Sequence, residues 1–265
     1  MSALLATEEL SRRYSGLLAV DSVSLEVGAG SVHALIGPNG AGKTTLFNLI
    51  SGLDRADSGR ILFEEHDIAA LPAHRRASLG LGRTFQAIRI FGAMTVLENV
   101  LTGLHSRRRA GFCATVLRTP GFRREERALV ERAREALALV GLAARAGEPA
   151  GALSHGEQRR LEIARALAAE PRLLLLDEPA AGMNPAETEG LARLVGRIRD
   201  LGTTVLVVEH DIGFVMDIAD AVTVLNFGRR IFSGTPGGAR GDAAVLEAYL
   251  GQKVAARLAA REAGR

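Results

Sequence analysis

The sequence predicts an α/β fold, and three features support that prediction. Several runs of strand length are largely apolar, as expected for strands buried on both faces of a parallel sheet; they lie at 31–36, 173–176 and 203–208. Segments with helical spacing alternate with these runs, and a glycine-rich loop joins the first run to a helix. A chain of 265 residues that is 47% hydrophobic can bury one substantial core, or one core with an inserted subdomain.

Composition and charge indicate a soluble, globular protein of a reducing compartment, with the cytosol as the default. The single cysteine, Cys113, excludes an internal disulfide framework. No apolar run approaches the ~20 residues that cross a bilayer, and Glu8 and Glu9 interrupt the N-terminus, so we expect neither a membrane span nor a signal peptide. The net charge of +3 includes one dense cluster, Arg107–Arg109, which fits a solvated face better than a phosphate- or headgroup-facing patch.

The N-terminal segment predicts antiparallel strands that lead to a phosphate-binding loop. Residues 4–30 consist of short strand-like pieces separated by glycines. The loop that follows, Gly37–Thr45 (GPNGAGKTT), matches the pattern G-x-x-x-x-G-K-[ST]. It lies between the strand-like run at 31–36 and the apolar, helix-like Leu46–Ile50, which is the context that the motif requires.

The chemistry of this loop suits a nucleotide. Its glycines let backbone N–H groups approach phosphate oxygens, and Lys43 adds a charge for the β- and γ-phosphates. The hydroxyl of Thr44, at the helix start, can ligate Mg²⁺. Tyr14 could stack on adenine, and packing explains that tyrosine almost as well, so both roles stay open. The predicted nucleotide-binding residues are Tyr14, Gly37, Pro38, Asn39, Gly40, Ala41, Gly42, Lys43, Thr44 and Thr45.

Strand-like and helical segments continue to alternate beyond the loop. Strands are predicted at 59–64, 221–226 and 229–232, and helices at 72–78, 95–104, 125–140, 157–168 and 242–250. The helix at 125–140 has its apolar residues on one stripe: Leu129, Ala133, Ala136, Leu137 and Val140. Residues 107–124 are predicted to be irregular, with Pro120 and Gly121 among the breakers. These segments predict a helical subdomain inserted in the α/β core.

The stretch LSHGEQ, at 153–158, opens one of the predicted helices. A serine followed by glycine and glutamate at a helix start is a capping signal. The free hydroxyl of Ser154 and the unobstructed N–H of Gly156 would equally form an anion site, here for a γ-phosphate. The sequence leaves both interpretations open.

Polar side chains follow the apolar strands. Asp177 and Glu178 end the second run, where adjacent acids without partners would cost several kcal/mol, so a metal or a water relay is favoured. Asp177 would hold Mg²⁺, and Glu178 would polarise an attacking water. His210 follows the third run, where α/β folds place ligands, and the Gln86 amide could ligate a metal. The predicted metal ligands are Thr44, Gln86 and Asp177, and the predicted catalytic residues are Gln86, Glu178 and His210.

Together these residues resemble the nucleotide-binding subunit of ATP-binding cassette (ABC) transporters over about 4–251. The order and spacing of six elements match this family. They are the aromatic residue Tyr14, the Walker A loop Gly37–Thr45, the Q-loop residue Gln86, the signature LSHGEQ, the Walker B strand LLLLDEP and the switch histidine His210. The resemblance implies a P-loop NTPase (RecA-like) core with an N-terminal antiparallel β subdomain and an inserted helical subdomain. Their implied bounds are 4–86 and 160–251 for the core, about 87–159 for the helical subdomain and 252–265 for a short C-terminal extension.

The resemblance also implies a composite site and a set of partners. ATP, with Mg²⁺, would lie between the Walker A face of one subunit and the signature of another, so that Ser154, Gly156 and Glu157 act in trans. The implied activity is ATP hydrolysis coupled to transmembrane transport, on the cytoplasmic face of the inner membrane as a peripheral subunit. Implied partners are a second ABC ATPase subunit in a heterodimer (or a homodimer in isolation), two membrane permease subunits and, indirectly, a periplasmic or extracellular substrate-binding protein.

Two departures from the family pattern bear on these roles. Family signatures commonly read LSGGQ, whereas His155 and Glu157 stand here, and Asn184 occupies a D-loop position often held by aspartate. Ser154 and Gly156, the chemically needed pair, are intact. We expect that the Glu157 carboxylate, if it lies near the nucleotide, weakens binding in trans.

Longer stretches narrow the resemblance. GRTFQ, FGAMTVLENVLTGLH and VVEHDIGFVMDIAD, with the long linker between Leu104 and Glu125, look like the ATPase subunit of branched-chain amino acid importers. The permease-facing surface is expected around Gln86–Met94. One alternative is an ABC ATPase for urea, amides or exported lipid, because the substrate does not touch this subunit. The other is a soluble cassette ATPase acting on nucleic acid or ribosomes; the sequence has none of the tandem cassettes, long coiled coils or zinc-binding cysteines typical of that class, so no nucleic-acid partner is expected.

Overall fold

The computed structural model describes residues 3–105 and 119–249. The chain divides into two compact units: Met1–Arg76 with Val195–Arg265, and Ala77–Leu194. The predicted arginine cluster at 107–109 and the predicted C-terminal extension at 252–265 lie outside the described residues. The subdomain bounds implied by the resemblance stay a prediction.

Strands and helices alternate along the described chain, which confirms the predicted α/β fold class. The strands are β1 (Ala3–Tyr14), β2 (Leu17–Gly28), β3 (Val32–Ile36), β4 (Ser58–Phe63), β5 (His66–Asp67), β6 (Leu81–Arg83), β7 (Leu173–Asp177), β8 (Thr204–Val208), β9 (Ala221–Asn226) and β10 (Arg229–Gly234). The helices are α1 (Lys43–Ser51), α2 (Ala73–Ser78), α3 (Val96–Gly103), α4 (Pro120–Leu139), α5 (His155–Leu167), α6 (Pro185–Asp200), α7 (Ile212–Ile218), α8 (Pro236–Gly241) and α9 (243–249).

The first unit contains an antiparallel sheet and a mostly parallel set of strands. The antiparallel sheet has the order β2-β1-β4-β5, which confirms the predicted N-terminal strands. In the second set, β9, β3 and β8 are parallel neighbours, and β10 pairs antiparallel with β9. Because Leu35 pairs with Val208, the segments that follow β3 and β8 leave the sheet at the same edge. The phosphate loop and His210 belong to those two segments.

The second unit combines a parallel strand pair with helices. β6 runs parallel to β7, with Leu81 opposite Leu173 and Arg83 opposite Leu175. The segment after β6 therefore passes alongside the end of β7, which carries Asp177 and Glu178. Helices α3, α4 and α5 pack against one another in the same unit. Within the described ranges, no helix is long and apolar enough to span a bilayer.

The apolar patterns of the sequence match the cores of both units. Every residue of β3, β7 and β8 is buried, as expected for strands that are apolar on both faces. The predicted stripe on α4 is also confirmed, since all of its members are buried: Leu129, Ala133, Ala136, Leu137 and Val140. Burial of such side chains supplies the main favourable free energy of folding.

Among the helices predicted from the sequence, α4 differs most in its start. α4 begins at Pro120, whereas Pro120 and Gly121 were expected to keep this segment irregular as far as 124. Proline is well tolerated in the first helical turn, because its missing N–H would have no partner there. Thr119 completes this start by accepting a hydrogen bond from the N–H of Phe122.

A buried arginine closes the end of helix α1 in the first unit. Arg76 is 1% exposed and donates hydrogen bonds to four backbone carbonyl oxygens, two of them in the last turn of α1: Leu49, Ile50, Ala69 and Leu71. Carbonyls at a helix C-terminus have no partner within the helix, and a cation complements the helix dipole there. Burial lowers the pKa of Arg76 to about 10.

We therefore expect Arg76→Ala to lower the free energy of unfolding by about 2–4 kcal/mol, because four carbonyl groups lose a charged donor in a buried site. Urea denaturation would measure the change. Arg75→Ala is the matched control, since Arg75 is exposed on the same helix and its loss should change stability by less than ~0.5 kcal/mol. Equal stability of the two variants would show that the Arg76 contacts contribute little.

Candidate functional site

The phosphate loop of the first unit has a conformation that requires glycine at two positions. Gly37 has a φ of +151°, and a Cβ there would lie 2.2 Å from the carbonyl oxygen of Leu225. Gly42 has a φ of +99°, and a Cβ there would lie 2.3 Å from the carbonyl oxygen of Ala19. Both distances are far inside van der Waals contact, and positive φ is itself unfavourable for residues with a Cβ. The predicted loop therefore has the backbone shape that its glycines suggest.

The helix that follows this loop begins without a side-chain cap. Among the described residues, no side chain caps the N-terminus of α1, and its first turn contains no acidic residue. Its N–H groups and dipole therefore favour an anion. Lys43 is 6% exposed and donates to the carbonyl oxygens of Gly37 at 2.7 Å and Pro38 at 3.0 Å. Thr44, Asn39 and Gly40 are exposed around it.

Tyr14 is held at the end of β1 by two charged groups. The guanidinium carbon of Arg12 lies 4.7 Å from the centre of the ring, and the Tyr14 hydroxyl donates to the Asp54 carboxylate. Arg12 also forms an ion pair with Asp54 at 2.9 Å. Burial raises the pKa of the Tyr14 hydroxyl, and its hydrogen bond to Asp54 adds to the rise. The ring is 40% exposed, so it is fixed in orientation and still accessible for stacking.

The predicted switch histidine follows a buried glutamate at the end of β8. Glu209 is 0% exposed, and its carboxylate accepts a hydrogen bond from the backbone N–H of His210 at 3.1 Å. The Nδ1 atom of His210 lies 3.8 Å from the same carboxylate, while 57% of the His210 side chain is exposed. The imidazole therefore projects from the edge of the sheet at which the phosphate loop also begins.

In the second unit, Asp177 is paired with an arginine. The carboxylate is 3% exposed and accepts a hydrogen bond from Arg83 at 3.2 Å. Burial raises the pKa of Asp177, and the Arg83 guanidinium opposes that rise. The sequence favoured a metal or a water relay for the two acids; in the structure a cation at the end of β6 pairs with Asp177 and offsets the cost of the buried charge.

Glu178 lies beside the predicted Q-loop glutamine. The amide nitrogen of Gln86 donates to the Glu178 carboxylate at 3.0 Å. Glu178 has a φ of +45°, a left-handed conformation that is uncommon for glutamate and is often found at functional sites. The structure thus joins two of the predicted catalytic residues. Asp177 and Glu178 have different partners, Arg83 and Gln86, although both partners come from one short segment.

The proposed Mg²⁺ ligands are oxygen donors from three separate segments of the chain. Within residues 3–105 and 119–249, no three His, Cys, Asp or Glu side chains form a group that could hold a metal ion by themselves. A magnesium ion beside a nucleotide commonly takes one or two protein ligands and completes its shell with phosphate oxygens and water. The predicted hydroxyl, amide and carboxylate oxygens of Thr44, Gln86 and Asp177 are of the type that Mg²⁺ prefers, so the residues present fit this ion.

The start of α5 has the capping geometry that the sequence suggested. Ser154 Oγ accepts the N–H of Glu157 at 3.3 Å, and the Glu157 carboxylate accepts the N–H of Ser154 at 2.9 Å. The same carboxylate forms an ion pair of 2.6 Å with Arg145. The Arg145 hydrogen bond, followed by that from the Ser154 N–H, holds the pKa of Glu157 below its usual value. The charge of Glu157 is therefore compensated within the chain.

Gly156 has a steric role as well as a possible functional one. A Cβ at this position would lie 2.5 Å from Oε1 of Glu187, in the first turn of α6. Glu187 also forms a capping box with Asn184: each backbone N–H donates to the other side chain at 3.0 Å. Since asparagine and aspartate are both good N-cap residues, Asn184 preserves this helix start.

A buried ion network ties α5 to the segment that carries Gln86. Arg159, 1% exposed, donates to the carbonyl oxygens of Phe85 at 2.6 Å and Gln86 at 2.7 Å, and to the Glu162 carboxylate at 3.1 Å. Glu162, also 1% exposed, accepts the backbone N–H of Arg89 at 2.7 Å. Arg165 donates to the carbonyl oxygen of Arg89 at 2.5 Å.

These arginine contacts were not predicted from the sequence. Arg83 lies in the quoted stretch GRTFQ, and Arg159 follows LSHGEQ directly, so both were adjacent to recognised motifs. Arg83 lies 94 residues along the chain from its partner Asp177, and Arg159 lies 73 residues from Gln86. No local sequence pattern could indicate contacts over such separations. The position of each arginine beside a recognised motif was the signal that the sequence offered for these contacts.

A family model and a relative of known name both match this chain as an ABC transporter protein. The family model described as ABC transporter matches residues 20–181. LivG of Salmonella typhimurium, a high-affinity branched-chain amino acid transport ATP-binding protein, is 44% identical over 250 residues, which cover 94% of this chain and 98% of LivG.

Solved structures agree with the sequence matches. An ATP-binding cassette of an ABC transporter in its ADP conformation superposes with a TM-score of 0.83 at 32% identity, covering 95% of this chain and all of that one. A dimeric cassette in a post-hydrolysis state, bound to ADP and phosphate, gives a TM-score of 0.74 at 26% identity and covers 88% of this chain and 98% of that one.

Replacing Lys43 with alanine should weaken ATP binding at least about tenfold, because a charge-assisted contact to phosphate is worth about 1.5–3 kcal/mol. Titration with a fluorescent ATP analogue would measure the affinity. Arg75→Ala is a suitable control, since Arg75 is an exposed cation on α2 and is not part of the phosphate loop. Unchanged affinity of Lys43→Ala would remove this loop from nucleotide binding.

Proposed function

This chain belongs to the ABC transporter family of ATPases, and we propose that it energises an importer for branched-chain amino acids. The observation that carries the substrate class is the 44% identity to LivG over almost the full length of both chains. The geometry supports the ATPase role, because the phosphate loop, the Gln86–Glu178 contact and the capped signature helix all have the conformations that such chemistry needs.

We propose the following division of roles at the nucleotide. Lys43 and the N–H groups of the phosphate loop bind the β- and γ-phosphates, and Tyr14 stacks on the adenine ring. Thr44, Gln86 and Asp177 would hold Mg²⁺, which when bound neutralises charge developing on the phosphates. Glu178 orients and polarises the attacking water, and Gln86, through its hydrogen bond, fixes the Glu178 carboxylate. His210 would contact the γ-phosphate from the end of β8.

A complete site needs a second subunit in this proposal. Ser154 and Gly156 act in trans on nucleotide bound by the phosphate loop of a neighbouring cassette, and dimeric cassettes with bound nucleotide products are known among the structural relatives. We propose that the neighbour is a related but different ATPase subunit, with a homodimer possible in isolation. Two permease subunits and, indirectly, an external substrate-binding protein complete the assembly, which places this chain at the cytoplasmic face of the membrane.

The surface proposed to receive the permeases is the segment Gln86–Met94 of the second unit. Phe91 is 53% exposed there, although its backbone is fixed by the buried Asn99, which accepts the Phe91 N–H at 2.8 Å and donates to the Phe91 carbonyl at 3.0 Å. A cavity of about 420 Å³ adjoins the segment, and its lining includes two phenylalanine rings and two arginine side chains: Phe85, Phe91, Arg83 and Arg165. An exposed aromatic residue on a rigid backbone is well suited to bind a partner.

Glu178→Gln should leave ATP binding intact and slow hydrolysis by ~10²-fold or more, because the amide cannot act as a base. ATP should then hold two cassettes together. Gel filtration with ATP and Mg²⁺, and steady-state phosphate release, would measure these two effects. A variant that stays monomeric and turns over ATP normally would exclude the proposed role of Glu178.

Substituting both Ile90 and Phe91 with serine should uncouple transport from hydrolysis while leaving nucleotide affinity within about twofold, because neither side chain is proposed to touch nucleotide. Uptake of labelled leucine into vesicles and ATP affinity would be measured together. Leu201→Ser is the control, as Leu201 is 70% exposed and lies far along the chain from this segment. Wild-type uptake, or collapse of ATP binding, would show that the segment is not the coupling surface.

A further inference from the structure

The signature of this chain carries a negative charge where an anion is proposed to bind. Glu157 lies in the first turn of α5, whose N–H groups and dipole would attract the γ-phosphate of a nucleotide held by a neighbour. A second carboxylate, that of Glu187, lies against Gly156 in the same region. Two uncompensated carboxylates at this position would repel a phosphate and cancel the attraction of the helix dipole.

Arg145 compensates one of these charges. Its Nη1 atom lies 2.6 Å from Oε2 of Glu157, while Nε and Nη2 contact Glu148 at 2.9 and 2.6 Å. The guanidinium thus binds two carboxylates at once: Nε and Nη2 point at Glu148, and Nη1 points at the oxygen of Glu157 that also accepts the Ser154 N–H. This geometry turns the Glu157 carboxylate back toward the chain.

The same charge balance bears on the serine. Ser154 Oγ accepts the N–H of Glu157, and the Ser154 side chain also hydrogen-bonds to the Glu157 carboxylate. Arg145 and the Ser154 N–H share that carboxylate, which weakens its hold on the hydroxyl proton and lets the proton turn to an incoming phosphate oxygen. Without Arg145, the uncompensated charge of Glu157 would hold the Ser154 hydroxyl within its own cap.

We propose that Arg145 is a positioning residue for the signature: it neutralises Glu157 and keeps Ser154 and Gly156 able to bind the γ-phosphate of a nucleotide held by a second subunit. This inference rests on the proposed function, in which the signature acts in trans. Arg145 itself touches no nucleotide. It makes the glutamate at position 157 compatible with trans binding.

A purely structural role for Arg145 makes a different prediction. Arg145 also approaches the carbonyl oxygen of Ala152 at 3.5 Å, so its loss could loosen the turn before α5. Such damage would not depend on the charge at position 157. The effect that we propose depends on that charge, and Glu157→Gln should therefore abolish it.

The test is a double-mutant cycle in the full-length Glu178→Gln chain, in which ATP is retained. The ATP concentration for half-maximal dimer formation, in the presence of Mg²⁺, is measured by light scattering. Arg145→Ala should raise that concentration at least about fivefold, whereas the same substitution in a Glu157→Gln background should raise it less than about twofold. For Arg145→Lys, which keeps the charge, the ATP concentration for half-maximal dimer formation should stay within about threefold of the parent value.

Arg134→Ala is the control, because it removes an exposed arginine that pairs with Glu131 in the same unit.

Affinity of each monomer for a fluorescent ATP analogue provides a second readout, because the phosphate loop in cis should not sense Arg145. If ATP drives dimer formation and Arg145→Ala changes it less than twofold, or by the same factor with Gln at 157, the inference is overturned and the proposed function stands. If ATP drives no dimer formation even in the parent chain, the proposed trans role of the signature fails, and the inference fails with it.

Discussion

The second unit depends on the buried pairing of Arg159 with Glu162. Both residues are 1% exposed, and ions at such a depth need close partners. Arg159 also donates to the carbonyl oxygens of Phe85 and Gln86, although its Nε has no hydrogen-bond partner within the described residues, and Glu162 accepts the N–H of Arg89. The loop after β6 is therefore held by the helix, because moving it would leave buried charges without partners.

This constraint connects two parts of the proposed site to α5. Its N-terminus carries Ser154, and its centre holds the backbone of Gln86, whose side chain reaches Glu178. A displacement of α5 would change the signature and the loop beside Glu178 together. A loop that contacts the proposed catalytic carboxylate and also exposes Phe91 is suited to transmit the nucleotide state to a membrane partner, since packed networks of this kind have few alternative arrangements.

The sequence predicted those elements whose cause is local. The strands β3, β7 and β8 are apolar on both faces, α4 repeats with helical period, and the phosphate loop needs glycine at Gly37 and Gly42. Helix α6 was not predicted from the sequence, although Asn184 and Glu187 form a capping box at its start. The arginine pairings were not predictable, because Arg83 and Asp177 meet only through the parallel register of β6 and β7. The ion pair of Glu157 with Arg145 was likewise not predictable, because Arg145 belongs to no motif.

Sharing of each nucleotide between two subunits is tested most directly by mixing two defective chains, both in the Glu178→Gln background. A tagged Lys43→Ala chain lacks the phosphate loop function, and an untagged Ser154→Arg chain lacks the signature, so each alone would form two damaged sites. A mixed dimer would have one intact site. We predict that ATP with Mg²⁺ makes the tagged chain retain the untagged one while neither chain pairs with itself; failure of the mixture to associate, under conditions in which the Glu178→Gln parent dimerises, would contradict a shared site.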